Sequence, residues 1–369
     1  MFGGGATWRG VGAKAPEERF VELIMSSSVT WSDPARQASF ERWIAPIAQA
    51  RGLKIDTLQP ASADASFRRY LRVASADASF IVMDAPPPQE DVRPFVQVDA
   101  LIRAAGLHAP EVLECDAQQG FLLLSDLGNA LYLDQFKDAS AAQADRLMRD
   151  AVKALVQFQQ GVDASTLPPY DSALLQRELD LFPDWCVARE FNIAWTDAQR
   201  TQWQRLCTLL IDSALAQPTV AVHRDYMPRN LMVAEPNPGI LDFQDAVRGP
   251  ITYDIASLLR DAFWSWDEER EIDWAVRYWE QARRAGLPVG DDFGEFWRRL
   301  EWMGLQRHLK VLGIFCRLKH RDGKPKYAQD LPRFFAYATK VAMRYVQLQP
   351  LLPLIEPMSG SAVQAGYTF

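Results

Sequence analysis

Four polar residues stand in a fixed order near the middle of the chain. His223, Asp225 and Asn230 lie in Val222-His223-Arg224-Asp225-Tyr226-Met227-Pro228-Arg229-Asn230-Leu231-Met232, and Asp242 follows in Gly239-Ile240-Leu241-Asp242-Phe243-Gln244-Asp245. The amide oxygen of Asn230 and the carboxylate of Asp242 are hard donors of the kind Mg2+ takes, and two such ligands leave coordination positions for water and phosphate oxygens. A carboxylate at Asp225, a few residues before that amide, can orient an acceptor hydroxyl or take its proton. H-R-D-x-x-x-x-N with an acid on the next apolar strand therefore suits phosphoryl transfer, in which the protein positions a hydroxyl, a triphosphate and a metal ion and neutralises the charge that develops. On this reading Asp225 is catalytic, Asn230 and Asp242 hold the metal, His223 braces the loop by a hydrogen bond, and Asp254 caps or braces it from the next helix. A lone H-x-D arises easily by chance, but here the set is ordered and flanked by the apolar runs 219–222, 231–233 and 240–241.

The elements that must position these groups can be read upstream. A helix is expected from Asp33-Pro34, with Phe40, Trp43, Ile44 and Ile47 on one face, ending at Gly52. Strand-like runs follow at 53–58, 70–74 and 80–83, and the segment 60–69 between the first two is a loop of small residues. In a kinase fold such a hairpin covers the ATP phosphates, which makes Ser66, Phe67, Arg68, Arg69 and Arg72 candidate nucleotide contacts. Protein kinases carry a Lys on the third strand, and this chain has Met83 there. Arg68, Arg69 and Arg72 are the nearest replacements for that cation, although each also fits a solvent-exposed position. A helix at 95–104 and strands at 111–115 and 120–124 lead to Ser125-Asp126-Leu127-Gly128, a polar exit where adenine would meet backbone groups at Asp126 and Leu127. Beyond it the pattern is helical. The expected fold class is α+β and bilobal, like the protein kinases: residues 1–30 a disordered tail or extended start, 31–127 a small lobe with an antiparallel sheet, and 128–369 a large, mainly helical lobe with the catalytic loop.

Composition narrows the classes. The chain has 369 residues, long enough for two cores, with 48% apolar and 24% charged residues, as in ordinary globular proteins. A net charge of -7 without a basic run argues against nucleic-acid binding. Cys115, Cys186, Cys207 and Cys316 are too scattered for a zinc site or a disulfide framework. Lacking an apolar run of membrane-spanning length, the chain is expected to be a cytoplasmic monomer with no membrane or nucleic-acid partner.

Taken together, these features resemble the aminoglycoside phosphotransferase family of small-molecule kinases over about Trp31 to Leu351. Asp84-Ala85-Pro86-Pro87, the segments 223–232 and 241–246, and Gln306 to Phe315 with Arg321-Asp322-Gly323-Lys324 are similar to its bacterial anomeric kinases of N-acetylmuramate and N-acetylglucosamine, which also lack the third-strand Lys. The resemblance implies ATP-dependent phosphorylation of the C1 hydroxyl of an amino sugar during peptidoglycan recycling, with ATP and Mg2+ as cofactors. Such a sugar needs donors, acceptors and a cation beside Asp225, and Gln244, Asp245, Arg307, His308 and Lys310 are the candidates. Apart from the resemblance, His308 on a helix fits a satisfied core histidine better than a ligand contact. Two alternatives stay open at this point: a kinase of the same fold acting on an aminoglycoside, a choline-like amine or another alcohol, and a nucleotide-binding pseudokinase, which would have no chemical need of Asp225.

Overall fold

The computed structural model describes residues 29–63 and 67–359, so most of the expected tail, and Ser66, lie outside the described residues. The chain divides into two compact units. One runs to Val96 and resumes over Pro110–Asp126, and the other comprises Gln97–Ala109 and the chain from Leu127 onward.

The first unit is built on α1 (Pro34–Arg51), capped by the Asp33 side chain on the Ala35 N–H and ended by Gly52 in a left-handed conformation at φ 64°. Its sheet comprises β1 (Lys54–Ala63), β2 (Arg69–Ala74), β3 (Ser79–Asp84), β4 (Val112–Asp116) and β5 (Phe121–Ser125), ordered β1-β2-β3-β5-β4 and antiparallel throughout. Alternation along β2 turns Leu71 and Val73 inward. They pack with Phe40 and Ile44 of α1 and with Ile55, Leu58, Val82, Phe121 and Leu123. The loop expected at 60–69 is shorter than its composition suggests, because β1 continues to Ala63 opposite Arg69. Pro60 is tolerated there since β1 is an edge strand and its register shifts beside that residue. Met83 is fully buried and sits opposite Leu122, so the position of the missing Lys belongs to the core of this unit.

The second unit is helical apart from two small ladders. β6 (Thr219–Val222) pairs with β9 (Val247–Pro250), and β7 (Leu231–Met232) with β8 (Gly239–Ile240). α2 (Ala141–Gly161) and α3 (Asp197–Leu215) each start with a capping box, Ser140/Gln143 and Thr196/Gln199. α4 (Ser172–Leu181) runs into a π-helical stretch, Phe182–Glu190. α5 (Tyr253–Leu259) is buried along its whole length. α6 (Phe293–His320) is buried at every position from Leu300 to Gly313, as expected of a helix surrounded by others. α7 (Leu331–Arg344) packs beside it. Among the described residues no helix is long and apolar enough to cross a membrane.

α6 and the end of α4 approach so closely that a Cβ at Gly313 would lie 2.4 Å from the Leu181 carbonyl carbon and oxygen. That neighbour is backbone and cannot rotate away. Gly313→Ala should therefore destabilise the protein by roughly 1–3 kcal/mol despite the better helix propensity of Ala, read as a lowered denaturant midpoint. An unchanged or raised midpoint would contradict this packing.

Candidate active site

The catalytic loop is hung from the two small ladders. β6 ends at Val222, held opposite Val247, and the chain then turns through Arg224 at φ 75°, a left-handed conformation that a non-glycine residue adopts only when its surroundings compel it. A 3-10 turn at Pro228–Asn230 delivers the chain into β7, whose pairing with β8 carries Asp242 back to Asn230. The Asn230 Nδ2 lies 3.3 Å from Asp242 Oδ2 and donates to the Asp225 carbonyl at 2.9 Å. Asp242 is itself left-handed, at φ 62°, and its other oxygen accepts from Gln244 Nε2 at 2.9 Å. The structure thus brings the carboxamide of Asn230, the carboxylate of Asp242 and the peptide of Asp225 together.

The carboxylates around this loop differ in what holds them. Asp254, at the start of α5, is fully buried and accepts the backbone N–H groups of His223 at 2.7 Å and Arg224 at 3.0 Å. Burial pushes it up to about 7 against those two donors. Asp225 is half-buried, and among the described residues no protein donor reaches its carboxylate. Its backbone N–H donates to His223 Nδ1 at 3.3 Å, so the ring proton sits on Nε2 and is donated to the Leu241 carbonyl at 3.0 Å. One neutral imidazole therefore ties the loop to the strand that carries Asp242. Burial pushes His223 down to about 4.

Glu178, on α4, is the main anchor of Arg224, and the motif does not reveal it. Its Oε1 accepts from Arg224 Nη2 at 2.7 Å and lies 2.9 Å from Lys310 Nζ. Its Oε2 accepts from the Tyr170 hydroxyl and from Gln306 Nε2 at 3.3 Å. Although burial opposes ionisation, Lys310 and Arg224 hold the carboxyl down to about 2. A signal existed in the sequence: Glu178 falls among Leu175, Leu179 and Phe182 on the apolar face of an amphipathic helix, where a charge requires a partner.

The remaining candidates spread out. Lys310 is tied to Glu178 and donates to the Tyr253 hydroxyl at 3.0 Å. His308, adjacent to Arg307 on α6, is rotated roughly 100° around the helix from it; it stacks on Tyr337 with ring centroids 4.8 Å apart and lies 3.4 Å from the Arg260 carbonyl, so its contacts are those of a core histidine. Asp245 is exposed, 3.9 Å from Arg224. In the first unit, Arg72 and Asp126 form a two-pronged pair at 2.6 and 3.0 Å, joined by the Ser79 hydroxyl. Arg69 turns its Nε to Asp84 at 3.0 Å, opposite Arg36 Nε at 2.9 Å. Arg68 lies 3.7 Å from Glu90, whose carboxylate also accepts the Phe67 N–H at 3.2 Å. Phe67 is exposed and Leu127 half-buried. The Arg36–Asp84–Arg69 cluster went unnoticed in the sequence because its members lie far apart along the chain.

The two titrating groups of the loop support have opposite effects on stability. Unfolding lets His223 take up a proton between about 4 and its ordinary 6.5, so stability is lost as pH falls through that window. Asp254 holds a proton that the unfolded chain releases above its ordinary 3.8, so stability falls as pH rises toward about 7. His223→Gln removes only the first effect. Relative to wild type it should gain about 2 kcal/mol of unfolding free energy between pH 7 and pH 5, measured by urea titration; an offset that does not change with pH would contradict the buried neutral histidine.

Residues 57–293 match the phosphotransferase enzyme family. An N-acetylmuramate/N-acetylglucosamine kinase of Pseudomonas putida is 55% identical over 83% of this chain and 89% of its own length. One from Neisseria meningitidis is 44% identical over 90% and 99%. Among solved structures, an ADP-bound aminoglycoside phosphotransferase superposes with a TM-score of 0.56 at 12% identity, covering 81% of this chain and 98% of its own. A Plasmodium vivax ethanolamine kinase gives 0.56 at 14%, covering 89% and 95%. At such identities these two establish the kinase-like bilobal α+β fold alone. With a family match over more than half its length and relatives this similar, the chain belongs to the phosphotransferase enzyme family.

Proposed function

We propose that the protein transfers the γ-phosphoryl group of ATP to the C1 hydroxyl of N-acetylmuramate or N-acetylglucosamine, producing a sugar 1-phosphate in the cytoplasm during reuse of cell-wall fragments. One observation carries the phosphotransfer reading: the Asp225 carboxylate accepts no protein hydrogen bond among the described residues, while the neighbouring Asn230 and Asp242 place an amide and a carboxylate 3.3 Å apart. The sugar is taken from the names of the relatives above.

In this account Asp225 accepts the proton of the C1 hydroxyl as its oxygen bonds to the γ-phosphorus, and the bond from that phosphorus to the β–γ bridging oxygen breaks to release ADP. The donor set of Asn230 and Asp242 fits Mg2+, being all hard oxygen. Among the described residues no group of three or more His, Cys, Asp or Glu side chains could hold a metal by itself, which fits an ion completed by phosphate oxygens and water. When bound, Mg2+ would neutralise charge on the β- and γ-phosphates. Gln244 orients one Asp242 oxygen through its Nε2. Arg68, Arg69, Arg72, Asp126 and Leu127, with Phe67 and Ser66, remain the proposed nucleotide contacts.

The deciding experiment is an acceptor screen with Mg-ATP and 31P NMR over both free amino sugars, their 1-O-methyl glycosides and aminoglycosides. Phosphate coupled to the anomeric proton is expected from the free sugars, and phosphorylation of the methyl glycosides at similar rates would refute transfer to C1. Asp225→Asn should lower kcat by about 10²–10⁴-fold with nucleotide affinity retained; near-normal turnover would remove Asp225 from the chemistry. Asp242→Ala should abolish the dependence of rate on Mg2+ along with most of the activity, and an unaltered metal titration would exclude it as a ligand.

A further inference from the structure

Arg307 is a buried cation that forms no ion pair among the described residues. It lies on α6, 2% exposed, and its Nη1 is buried without a hydrogen-bond partner. The contact made by its Nη2 is to the thioether sulfur of Met227, 3.9 Å away, a weak acceptor for a guanidinium. Two other arginines of the same unit are treated differently. Half-buried Arg224 has Glu178 at 2.7 Å, and buried Arg260 has Glu271 at 3.1 Å and Glu301 at 2.8 Å.

Asp254, Asp261 and the His308 ring feel the charge of Arg307. Asp254 is committed to the backbone N–H groups of His223 and Arg224; one Asp261 oxygen accepts from Phe263 and Trp264, while its other oxygen is buried without a hydrogen bond. Neither approaches Arg307 closely enough to form an ion pair among the described residues. His308 is pushed well below its ordinary range by burial and by these arginines, so it supplies no compensating charge. A guanidinium removed from water without an ion pair or its full set of hydrogen bonds is costly, and a ligand anion would supply a close partner.

We infer that Arg307 binds the carboxylate of an anionic acceptor, the lactyl group that N-acetylmuramate has and N-acetylglucosamine lacks. The inference rests on the sugar-kinase reading above and names the residue that separates its two substrates. Met227, two residues beyond Asp225, covers the guanidinium with an unbranched side chain of three rotatable bonds. Its displacement exposes Nη1 and Nη2 as a fork for two carboxylate oxygens. Because Met227 and Asp225 share one loop, a carboxylate held there also fixes the sugar relative to the catalytic group. N-acetylglucosamine leaves the methionine in place and binds through its remaining contacts.

The test compares three acceptors with Mg-ATP on the full chain: N-acetylmuramate, its lactyl methyl ester and N-acetylglucosamine. On wild type, KM should be roughly 10–100-fold higher for the ester than for the acid, with kcat within a few-fold. Arg307→Met should raise KM for the acid by a similar factor and abolish the acid–ester difference while leaving KM for N-acetylglucosamine within a few-fold; Arg307→Lys should restore part of the preference. Equal KM values for acid and ester on wild type would overturn the assignment even if Arg307→Met failed to fold. So would an equal loss towards all three acceptors in a folded variant, the signature of a purely structural arginine. If wild type phosphorylated none of the three, the sugar-kinase reading itself would fall, and this assignment with it.

Discussion

The left-handed turn at Arg224 is the constraint on which the rest of this site depends. A non-glycine residue at φ 75° is not a conformation the chain holds unaided, and two buried carboxylates from separate helices enforce it. Asp254 binds the Arg224 and His223 amides, and Glu178 binds the Arg224 guanidinium. With the turn set, the carboxylate of the next residue meets no protein donor among the described residues, and the 3-10 turn and β7 follow in register to place Asn230 beside Asp242. His223 closes the arrangement by linking the Asp225 N–H to the Leu241 carbonyl.

Three acids of one residue class and its homologue divide the work by environment. Glu178 is ionised because two cations and a phenol converge on it. Asp254 is buried among backbone donors and carries a raised affinity for protons. Asp225 is half-buried, its carboxylate accepts no hydrogen bond among the described residues, and it is the acid we propose meets the substrate. Removing one member of such a buried set strands the others, and a stranded buried charge typically costs 3–5 kcal/mol. The clamp of Arg36 and Arg69 on Asp84 follows the same rule in the first unit, where Asp84 is 1% exposed; its two arginines also lie over aromatic rings, Arg36 over Phe121 at 3.7 Å and Arg69 over Trp31 at 4.2 Å.

What was legible in the sequence is what is local. The start and stop of α1 follow from Asp33, Pro34 and Gly52, and the strands of the first unit from alternation and turn residues. The spacing from His223 to Asn230 and the acid at Asp242 pointed to phosphoryl transfer, and these residues do occupy one loop and one short hairpin. Glu178 and Arg224 are 46 residues apart and Gln306 and Glu178 128 apart, and no local pattern pairs them. Arg307, His308 and Lys310, all named as candidates for the sugar, part by helical rotation: Lys310 shares a face with Gln306 and meets Glu178, Arg307 meets Met227, and His308 stacks on Tyr337 of α7. Pro60 misled in the other direction, since an edge strand accommodates it.

On this geometry Glu178 keeps the loop that carries Arg224 and Asp225 in shape from outside the motif. The turnover of Glu178→Gln checks this, scaled to the fraction of protein that binds nucleotide, so that lost stability does not count as lost chemistry. If Arg224 must be held for Asp225 to be presented, kcat should fall on the order of a hundredfold, as misplacement by about an ångström does, with nucleotide affinity unchanged. A kcat within twofold of wild type would contradict the account and leave Glu178 a stabilising residue only.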